Sequence, residues 1–176
     1  YLPYAVSASS GSGYGNGLWS AQPLQQPADA EFPSSASAMP AGTIRFDNGA
    51  LPVRFVSVHT TSPTAQSWDL WRKSLTEMQQ LTARTGTQYV LMGDFNATYD
   101  HAVFRDLLGS RFQDAARASG HGLVFSWPAD KPWLPAFSGI DHIVTERGVV
   151  VGQVSTMRIG GSDHRALLAT LDFTRR

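Results

Sequence analysis

The sequence predicts a mixed α/β fold built in layers. Segments with the residue pattern of β-strands alternate with two helical segments and with hairpins, and they do not follow the strict strand–helix repeat of a Rossmann fold. The chain has 176 residues, of which 42% are hydrophobic and 16% are charged, so it is long enough for one sizeable hydrophobic core. No apolar run approaches the roughly 18 residues needed to cross a bilayer.

The N-terminal part of the chain is predicted to contain short strands and a long loop. Two strands flank a Gly/Ser-rich turn that extends from Ser7 to Gly17. Residues 21–42 are rich in Pro, Gln, Ala and Ser, a composition typical of loops. Residues 43–46 and 52–59 then form a predicted hairpin, with Asp-Asn-Gly at 47–49 as its turn.

A long amphipathic helix is predicted after this hairpin. Ser62 and Pro63 suit its N-cap and its first helical position. Apolar residues then recur at spacings of three and four, which predicts a helix of about 20 residues that packs one face on a sheet. These residues are Trp68, Trp71, Leu75, Met78 and Leu81. The two tryptophans could alternatively form a ligand platform, but their helical spacing favours packing in the core.

The second half of the chain supplies the remaining predicted elements. Residues 88–92 have the pattern of a short buried strand, and residues 101–108 that of a second helix. Three further strands are predicted at 140–145, 149–157 and 166–173.

Charge and cysteine content exclude several kinds of function. The chain has 14 basic and 14 acidic residues, and this neutral balance gives little support for tight, sequence-independent binding to long nucleic acids. A small phosphorylated substrate is compatible with it, since one site needs few charges. The sequence has no cysteine, which excludes disulfides, zinc–thiolate sites and thiol nucleophiles.

Polar residues with catalytic potential lie at or near the ends of the predicted strands, where layered α/β proteins commonly build their sites. Histidine, carboxylate and amide groups together suit hydrolysis assisted by a hard cation. Carboxylate oxygens hold Mg²⁺, the ion activates bound water, and a nearby histidine moves the proton. The residues of this set are His59, Asp94, Asn96, Asp141, His142, Asp163 and His164.

Four short motifs in a fixed order give these residues a family context. Residues 58–60 (VHT), 93–96 (GDFN), 140–143 (IDHI) and 161–167 (GSDHRAL) resemble motifs of the endonuclease/exonuclease/phosphatase superfamily. That superfamily includes pancreatic deoxyribonuclease, abasic-site endonucleases, neutral sphingomyelinases and inositol polyphosphate 5-phosphatases. Residues 15–20 (GNGLWS) also resemble one of its strands.

The resemblance implies a fold and a reaction. The fold is a deoxyribonuclease I-like, four-layer α/β/β/α sandwich, of which residues 1–176 form a single partial catalytic domain with the N-terminal portion absent. The reaction is hydrolysis of a phosphoester by an in-line water, dependent on Mg²⁺ or Mn²⁺. Asp94 is expected to orient the water and contact the metal. Asn96 is expected to hydrogen-bond a non-bridging phosphate oxygen, and His59 to contact the scissile phosphate.

The C-terminal motifs complete the implied site. His164 is expected to act as general base or as a charged contact to the phosphate, and Asp141 to accept its ring N–H and fix the tautomer. Asp163 is expected to be a metal ligand.

Other interpretations apply to individual residues. An Asp-x-Asn sequence after a strand, as at Asp94, commonly forms an Asx turn. His142 alternates with Asp141 and is expected to point to the other side of the strand in a structural role. No motif supports His101 or His121, which are expected to be surface residues.

A segment between the site motifs points to a possible location. Residues 125–133 (FSWPADKPW) resemble a stretch found in bacterial members that are tethered by N-terminal membrane helices. The resemblance implies a location on the extracytoplasmic face of a bacterial membrane, through an anchor missing here. The segment either rims the site and selects the substrate or packs on the core.

The sequence departs from the family at its start. Complete members carry a Gln-Glu pair whose glutamate is the principal metal ligand, whereas Glu31, Glu77 and Glu146 lie in other contexts. The chain also begins at Tyr1, and we expect it to be excised from something longer. We therefore expect this chain alone to be weakly active, and to associate with its missing N-terminal half or with a second copy.

The expected substrate is lipid-linked or small. A nuclease of the same superfamily is the alternative within this chemistry, and a non-catalytic interaction fragment is the alternative outside it.

Overall fold

The computed structural model describes residues 1–9, 15–46 and 51–173, which form ten strands and three α-helices. The strands are β1 (Tyr4–Ala8), β2 (Asn16–Ser20), β3 (Gln25–Ala28), β4 (Ala41–Ile44), β5 (Val53–His59), β6 (Gln88–Asp94), β7 (Phe112–Asp114), β8 (Asp141–Glu146), β9 (Val150–Arg158) and β10 (Arg165–Asp172). The helices are α1 (Trp68–Met78), α2 (Ala102–Leu108) and α3 (Ala115–Ala118), and a 3₁₀ turn, Gln79–Ala83, follows α1.

A six-stranded sheet in the order β3-β4-β5-β6-β8-β7 forms the central layer. Its β5 and β6 strands are parallel, and α1 with its 3₁₀ turn supplies the crossover that a parallel pair requires. The other neighbouring strands are antiparallel. The registers place His59 opposite Asp94 and Asp94 opposite Asp141, so three strand ends meet at one edge of the sheet.

One face of this sheet is covered by helices. Trp71, Leu75 and Met78 of α1 are buried in a core cluster that also contains Leu91 of β6 and Phe104 of α2. The burial of Trp71 follows the packing interpretation of the helix, whereas the side chain of Trp68 remains 45% exposed and contacts Trp71 at a ring distance of 4.8 Å.

The helix begins later than its sequence indicates. The prediction of an N-cap at Ser62 and about 20 helical residues is wrong, since α1 has 11 residues and begins at Trp68. The Ser62 carbonyl instead accepts the Thr64 N–H at 2.9 Å and the Ser67 hydroxyl at 2.5 Å, so a local turn uses the groups that would have started the helix.

Two separate ribbons lie on the opposite face. Asn16 of β2 contacts Ser57, which alternates with the helix-facing Val56 and Val58. The β9–β10 ribbon packs near Ile143, whose neighbour Val144 faces the helices. The described residues therefore stack as helices, sheet and ribbons, which confirms the predicted layered α/β fold.

Several details differ from the sequence prediction. The Pro-rich segment 21–42 is not entirely loop, because it contains β3 and the first residues of β4. The sequence also did not indicate β7 or α3, which are only three and four residues long. The predicted β4–β5 pairing is present, while its proposed turn at 47–49 and residues 10–14 of the first turn lie outside the described residues. Among the helices of the described part, none is long and apolar enough to cross a membrane.

Candidate active site

A cavity of about 830 Å³ opens at the edge of the sheet where β5, β6 and β8 meet. Its lining brings together the six residues to which the family resemblance assigns catalytic or metal-binding roles: His59, Asp94, Asn96, Asp141, Asp163 and His164. The convergence follows from topology, because the parallel and antiparallel registers of three adjacent strands bring their polar ends to one place. The segment before β10 contributes the last two residues.

Backbone hydrogen bonds fix the three strand ends relative to one another. The N–H of Thr60 donates to the Asp94 carbonyl at 3.0 Å, and the N–H of Phe95 donates to the Ile140 carbonyl at 3.0 Å. Gly93 permits the close approach of β5 and β6. Its φ is +140°, and a Cβ at this position would lie 2.1 Å from the carbonyl oxygen of Val58. The glycine of the GDFN motif is therefore required by the backbone.

Asp94 and Asn96 form a tight Asx turn after β6. The Asn96 N–H donates to Asp94 Oδ1 at 2.7 Å, and Asn96 has a φ of +47°, a conformation that asparagine tolerates better than most residues. The side-chain amide of Asn96 donates to the Thr60 carbonyl at 3.0 Å and to Asp94 Oδ2 at 3.2 Å. Both hydrogens of this amide are thus directed at protein oxygens, and the turn coexists with the position of both residues in the cavity.

Asp141 and His164 form a hydrogen-bonded pair across the cavity. His164 Nδ1 lies 2.7 Å from Asp141 Oδ2, and its Nε2 lies 4.0 Å from Asp94 Oδ2. Since the carboxylate accepts the proton of Nδ1, it fixes the orientation of the ring and leaves Nε2 facing Asp94.

The environment of these groups separates their proton affinities. Burial, reinforced by the negative charge of Asp141, raises the pKa of Asp94 to about 6. The hydrogen bond that His164 donates to Asp141 is the main cause that raises the pKa of His164 above its ordinary value. Burial, and then the positive charge of His164, lowers the pKa of His59. The cavity therefore favours the protonated form of His164 and the neutral form of His59, while Asp94, with a pKa of about 6, is mostly ionised at neutral pH.

The oxygen donors of the cavity suit a hard cation in chemical type. Asp94 and Asp163 line the cavity, while Asp141 is engaged with His164. Within residues 1–9, 15–46 and 51–173, no group of three or more His, Asp or Glu side chains is arranged to hold a metal ion. Mg²⁺ is commonly held by one or two carboxylates together with water and substrate oxygens, and Asp94 and Asp163 match this preference in chemical type.

The glutamates of the chain are engaged elsewhere. Glu31 forms ion pairs with Arg54, at 2.6 Å, and with Arg84. Glu77 accepts the N–H of Ser35 at 2.7 Å, and Glu146 pairs with Arg111 at 2.6 Å. These contacts place all three carboxylates in structural ion pairs or turns outside the cavity lining.

His142 occupies the core, in agreement with its predicted structural role. It is buried, its Nε2 donates to the Ala97 carbonyl at 2.7 Å, and its Nδ1 lies 2.6 Å from Asp114 Oδ2. The ring packs against Phe104 at a centroid distance of 4.2 Å. The alternation of β8 thus sends Asp141 to the cavity and His142 to the core.

Sequence reasoning missed two residues of the cavity wall. The prediction that His101 is a surface residue is wrong, because His101 is half-buried and lines the cavity, whereas His121 is exposed as predicted. Asn16 of β2 also lines the cavity and is bonded to Ser57 in both directions, at 2.6 and 2.9 Å. Asn16 lies in residues 15–20, which resemble a strand of the family. The only sequence feature that could have indicated a place for His101 in the site is its closeness to the GDFN motif.

The aromatic segment 125–133 borders the site. Trp127 lines the cavity. Two backbone hydrogen bonds connect its neighbours to the C-terminal motif: the Ala129 N–H donates to the Asp163 carbonyl at 2.7 Å, and the Arg165 N–H donates to the Ser126 carbonyl at 2.8 Å. Trp133 projects outward and is 77% exposed. The segment therefore rims the cavity at Trp127 and presents apolar surface to solvent at Trp133.

Several solved structures of distantly related sequence share this fold. An endonuclease/exonuclease/phosphatase family protein from Leptotrichia buccalis has a TM-score of 0.72 at 17% identity, covering 97% of this chain and 72% of that one. The mannosyl-6-phosphatase Bt3783 of Bacteroides thetaiotaomicron gives 0.70 at 16% identity, with 98% and 78% covered. Truncated TDP2 of Caenorhabditis elegans gives 0.69 at 17% identity, with 97% and 75% covered.

These likenesses show the fold, and the sequence itself shows the family. No curated protein matches the chain. The model of the Endonuclease/Exonuclease/phosphatase family, however, matches residues 1–164, which include the cavity residues from β5 to His164. The chain belongs to the endonuclease/exonuclease/phosphatase family.

Proposed function

We propose that the protein hydrolyses a phosphoester by in-line attack of water. Its central catalytic pair is a deprotonated Asp94 and a protonated His164. The observation that carries this proposal is the geometry of Asp94, His164 and Asp141 in one cavity. Asp94 has a pKa of about 6, and the contact with Asp141 at 2.7 Å raises the pKa of His164. A carboxylate and an imidazolium 4.0 Å apart can accept a proton and stabilise negative charge within one site.

Each residue has a defined part in this reaction. Asp94 orients the water and accepts its proton as the water oxygen bonds to phosphorus. The bond from phosphorus to the ester oxygen breaks at the same time, and the leaving alcohol takes a proton from solvent water. The His164 imidazolium faces the phosphoryl oxygens and stabilises the charge that develops on them, while Asp141 holds the ring in place. Neutral His59 contacts the phosphoryl group from the end of β5. Asn96 reaches a phosphate oxygen by exchanging its 3.2 Å bond to Asp94 for one to substrate.

A divalent cation belongs to this proposal. Mg²⁺ or Mn²⁺, held by Asp94 and Asp163 with water and substrate oxygens, would supply charge that polarises the phosphoryl group. Because Glu31, Glu77 and Glu146 have structural partners, we propose that the chain alone binds this cation weakly and turns over slowly. Calorimetric titration of Mg²⁺ and Mn²⁺ into the purified chain tests this, and micromolar Mg²⁺ binding with fast turnover would contradict it.

We propose a lipid-linked or small phosphoester as the substrate. The zero net charge gives no general attraction for long nucleic acids, and the apolar ring of Trp127 forms part of the cavity wall. The exposed Trp133 beside the site suits an apolar substituent or a membrane surface. Action on the extracytoplasmic face of a bacterial membrane is part of the same proposal.

Parallel assays decide among these activities. The protein is incubated with an aryl phosphodiester, an aryl phosphomonoester, a phospholipid in micelles and single-stranded DNA, each with Mg²⁺, with Mn²⁺ and with a chelator. We expect metal-dependent release from a small or lipid phosphoester. Preference for DNA would support a nuclease. No turnover of any substrate, in the chain or in a longer form of the protein, would support a non-catalytic interaction fragment.

Association with further polypeptide is the last part of the proposal. The β9–β10 ribbon exposes several large apolar side chains, among them Met157 (55%), Leu168 (44%) and Val150 (39%). We propose that a further segment of the same protein, or a second copy, covers them. Light scattering of the purified chain tests the second copy, because a dimer at micromolar concentration would support it and a monomer would favour the additional segment.

A further inference from the structure

His101 lies in the wall of the cavity with one ring nitrogen held by the backbone. The N–H of Thr98 donates to His101 Nδ1 at 2.9 Å, and the Thr98 hydroxyl lies 3.1 Å from the same nitrogen. A backbone N–H can only donate, so Nδ1 must carry its lone pair. The proton of the neutral ring is therefore on Nε2.

The ring is also fixed by its surroundings. It packs against the buried ring of Trp71 in a T-shaped contact, with a centroid distance of 5.0 Å. His101 is the N-cap of α2, and its carbonyl accepts the N–H groups of Phe104 and Arg105 at 3.1 and 3.3 Å. A donor held from three sides loses little conformational freedom when a ligand binds.

The Nε2 proton of His101 has no protein acceptor among residues 1–9, 15–46 and 51–173. Asn96, the amide expected to bind phosphate, differs in this respect because both of its side-chain hydrogens are directed at the oxygens of Thr60 and Asp94. His101 thus offers the cavity an oriented hydrogen-bond donor that is already available to a ligand.

We infer that His101 is a substrate-binding residue that donates a hydrogen bond from Nε2 to an oxygen of the bound phosphoester. This inference rests on the proposed function, since the ligand is the phosphoester hydrolysed in the same cavity. A neutral, preoriented N–H suits an oxygen of an anionic phosphoryl group, as hydrogen bonds to charged groups are stronger than neutral ones. The residue contributes to binding and takes no part in proton transfer.

The tautomer and the contact can be measured without turnover. In long-range ¹H–¹⁵N spectra of the labelled protein, His101 should show the Nε2–H tautomer. Inorganic phosphate added with Mg²⁺ should then shift the His101 Nε2 resonance and leave His121 unchanged. An Nδ1–H tautomer, or an Nε2 resonance that phosphate does not move at concentrations that shift His164, would overturn the inference.

A matched pair of variants tests the same contact in catalysis. His101→Asn keeps an acceptor for the Thr98 N–H and a favourable N-cap residue, but it removes the Nε2 donor. It should raise KM about 10- to 100-fold, the loss expected for one hydrogen bond to a charged group, with kcat changed less than about threefold. His121→Asn, on exposed surface, should leave both constants unchanged.

The outcomes separate this inference from the proposed function. A wild-type protein that hydrolyses phosphoesters while His101→Asn keeps its KM and unfolds at the same temperature would reject the role of His101 alone. A variant that loses stability with unchanged KM would show a merely structural role and would also reject it. If no phosphoester is hydrolysed by the wild type, the proposed function fails, and the phosphate-dependent shift of Nε2 still decides whether His101 binds the anion.

Discussion

Two aspartate–histidine pairs of nearly identical geometry lie on either side of β8. In the cavity, His164 Nδ1 is 2.7 Å from Asp141, and in the core, His142 Nδ1 is 2.6 Å from Asp114. The pairs differ at the second ring nitrogen. His142 Nε2 is capped by the Ala97 carbonyl at 2.7 Å, whereas His164 Nε2 faces Asp94 across 4.0 Å. The environment of that nitrogen decides whether the pair supports the fold or can act on a ligand.

The difference arises from one strand. Asp141 and His142 are consecutive residues of β8, so their side chains leave opposite faces of the sheet. One side opens into the cavity, and the other is closed by Phe95 and Phe104. Substitutions in the two pairs should therefore have separable effects, on catalysis in one case and on stability in the other.

The largest effect is expected from removing Asp94 or His164, the two residues of the proposed catalytic pair. Asp94→Ala and His164→Ala should each lower kcat by about 10³- to 10⁵-fold in an active form of the protein, because the loss of one cooperating group disables the others in the site. Steady-state kinetics on the preferred phosphoester measure this, and circular dichroism checks that the variants fold. A rate near that of the wild type in either variant would remove that residue from the mechanism.

Asp141→Asn should have a smaller effect and a characteristic pH dependence. It should lower kcat by about 10²- to 10⁴-fold, since an amide no longer holds the ring in its charged form. The hydrogen bond that His164 donates to Asp141 is the main cause of the raised pKa of His164, and the charge of Asp141 also helps to raise the pKa of Asp94. The rising limb of the pH–rate profile follows the ionisation of Asp94, and the falling limb follows the deprotonation of His164. Both limbs should therefore move to lower pH in Asp141→Asn. Unmoved limbs would contradict these assignments.

The equivalent change in the core pair should affect stability. Asp114 also accepts the Arg117 N–H at 2.9 Å at the start of α3, and its side chain is buried beside His142. Asp114→Asn should lower the free energy of unfolding by about 2–4 kcal/mol and leave kcat of the folded protein within about threefold. Urea unfolding and kinetics below the transition test this, and the comparison fails if Asp114→Asn reduces kcat as strongly as Asp141→Asn.

Much of the fold could be predicted because the elements carry strong local patterns. Strands β6, β8, β9 and β10 were placed within two residues at each end, since apolar alternation and flanking turns mark them. The start of α1 was misplaced because Ser62 and Pro63 are residue types typical of a helix start, whereas in the structure they form part of a local turn. Elements as short as β7 and α3 carry too few residues to show any period, and their structure depends on packing against β8.

The residues of the candidate site also divide into those that the sequence could predict and those that it could not. The residues of the motifs were found because their types and order are distinctive, and adjacent strands then bring them together. His101 was missed because nothing in its sequence shows that the Thr98 N–H holds its ring or that the residue lies in the wall of the cavity. The engagement of the Asn96 amide with Thr60 was equally hidden, since the two residues are 36 positions apart.

The smallest expected effect is a gain in stability when Asp94, the proposed catalytic carboxylate, is replaced. The pKa of Asp94 rises from 3.8 to about 6 in the folded protein, mainly through burial. Between about pH 4 and pH 6 the folded state keeps a proton that the unfolded state releases, so stability falls as the pH rises through this window and stays lower above it. Asp94→Asn removes this cost and should stabilise the protein by about 1–3 kcal/mol at pH 8, with little effect at pH 4.

In the wild type, Asp94 Oδ2 accepts a hydrogen bond from the Asn96 amide at 3.2 Å. The lower end of the range allows for the loss of this bond if the new amide directs its NH₂ group at Asn96. Urea unfolding of the wild type and of Asp94→Asn at both pH values measures the difference. Asp163→Asn is the matched control, because Asp163 lines the same cavity but is exposed, and its replacement should change stability little at either pH. Equal destabilisation by Asp94→Asn at pH 4 and pH 8 would show that the hydrogen bonds of Asp94 outweigh the cost of burying its charge.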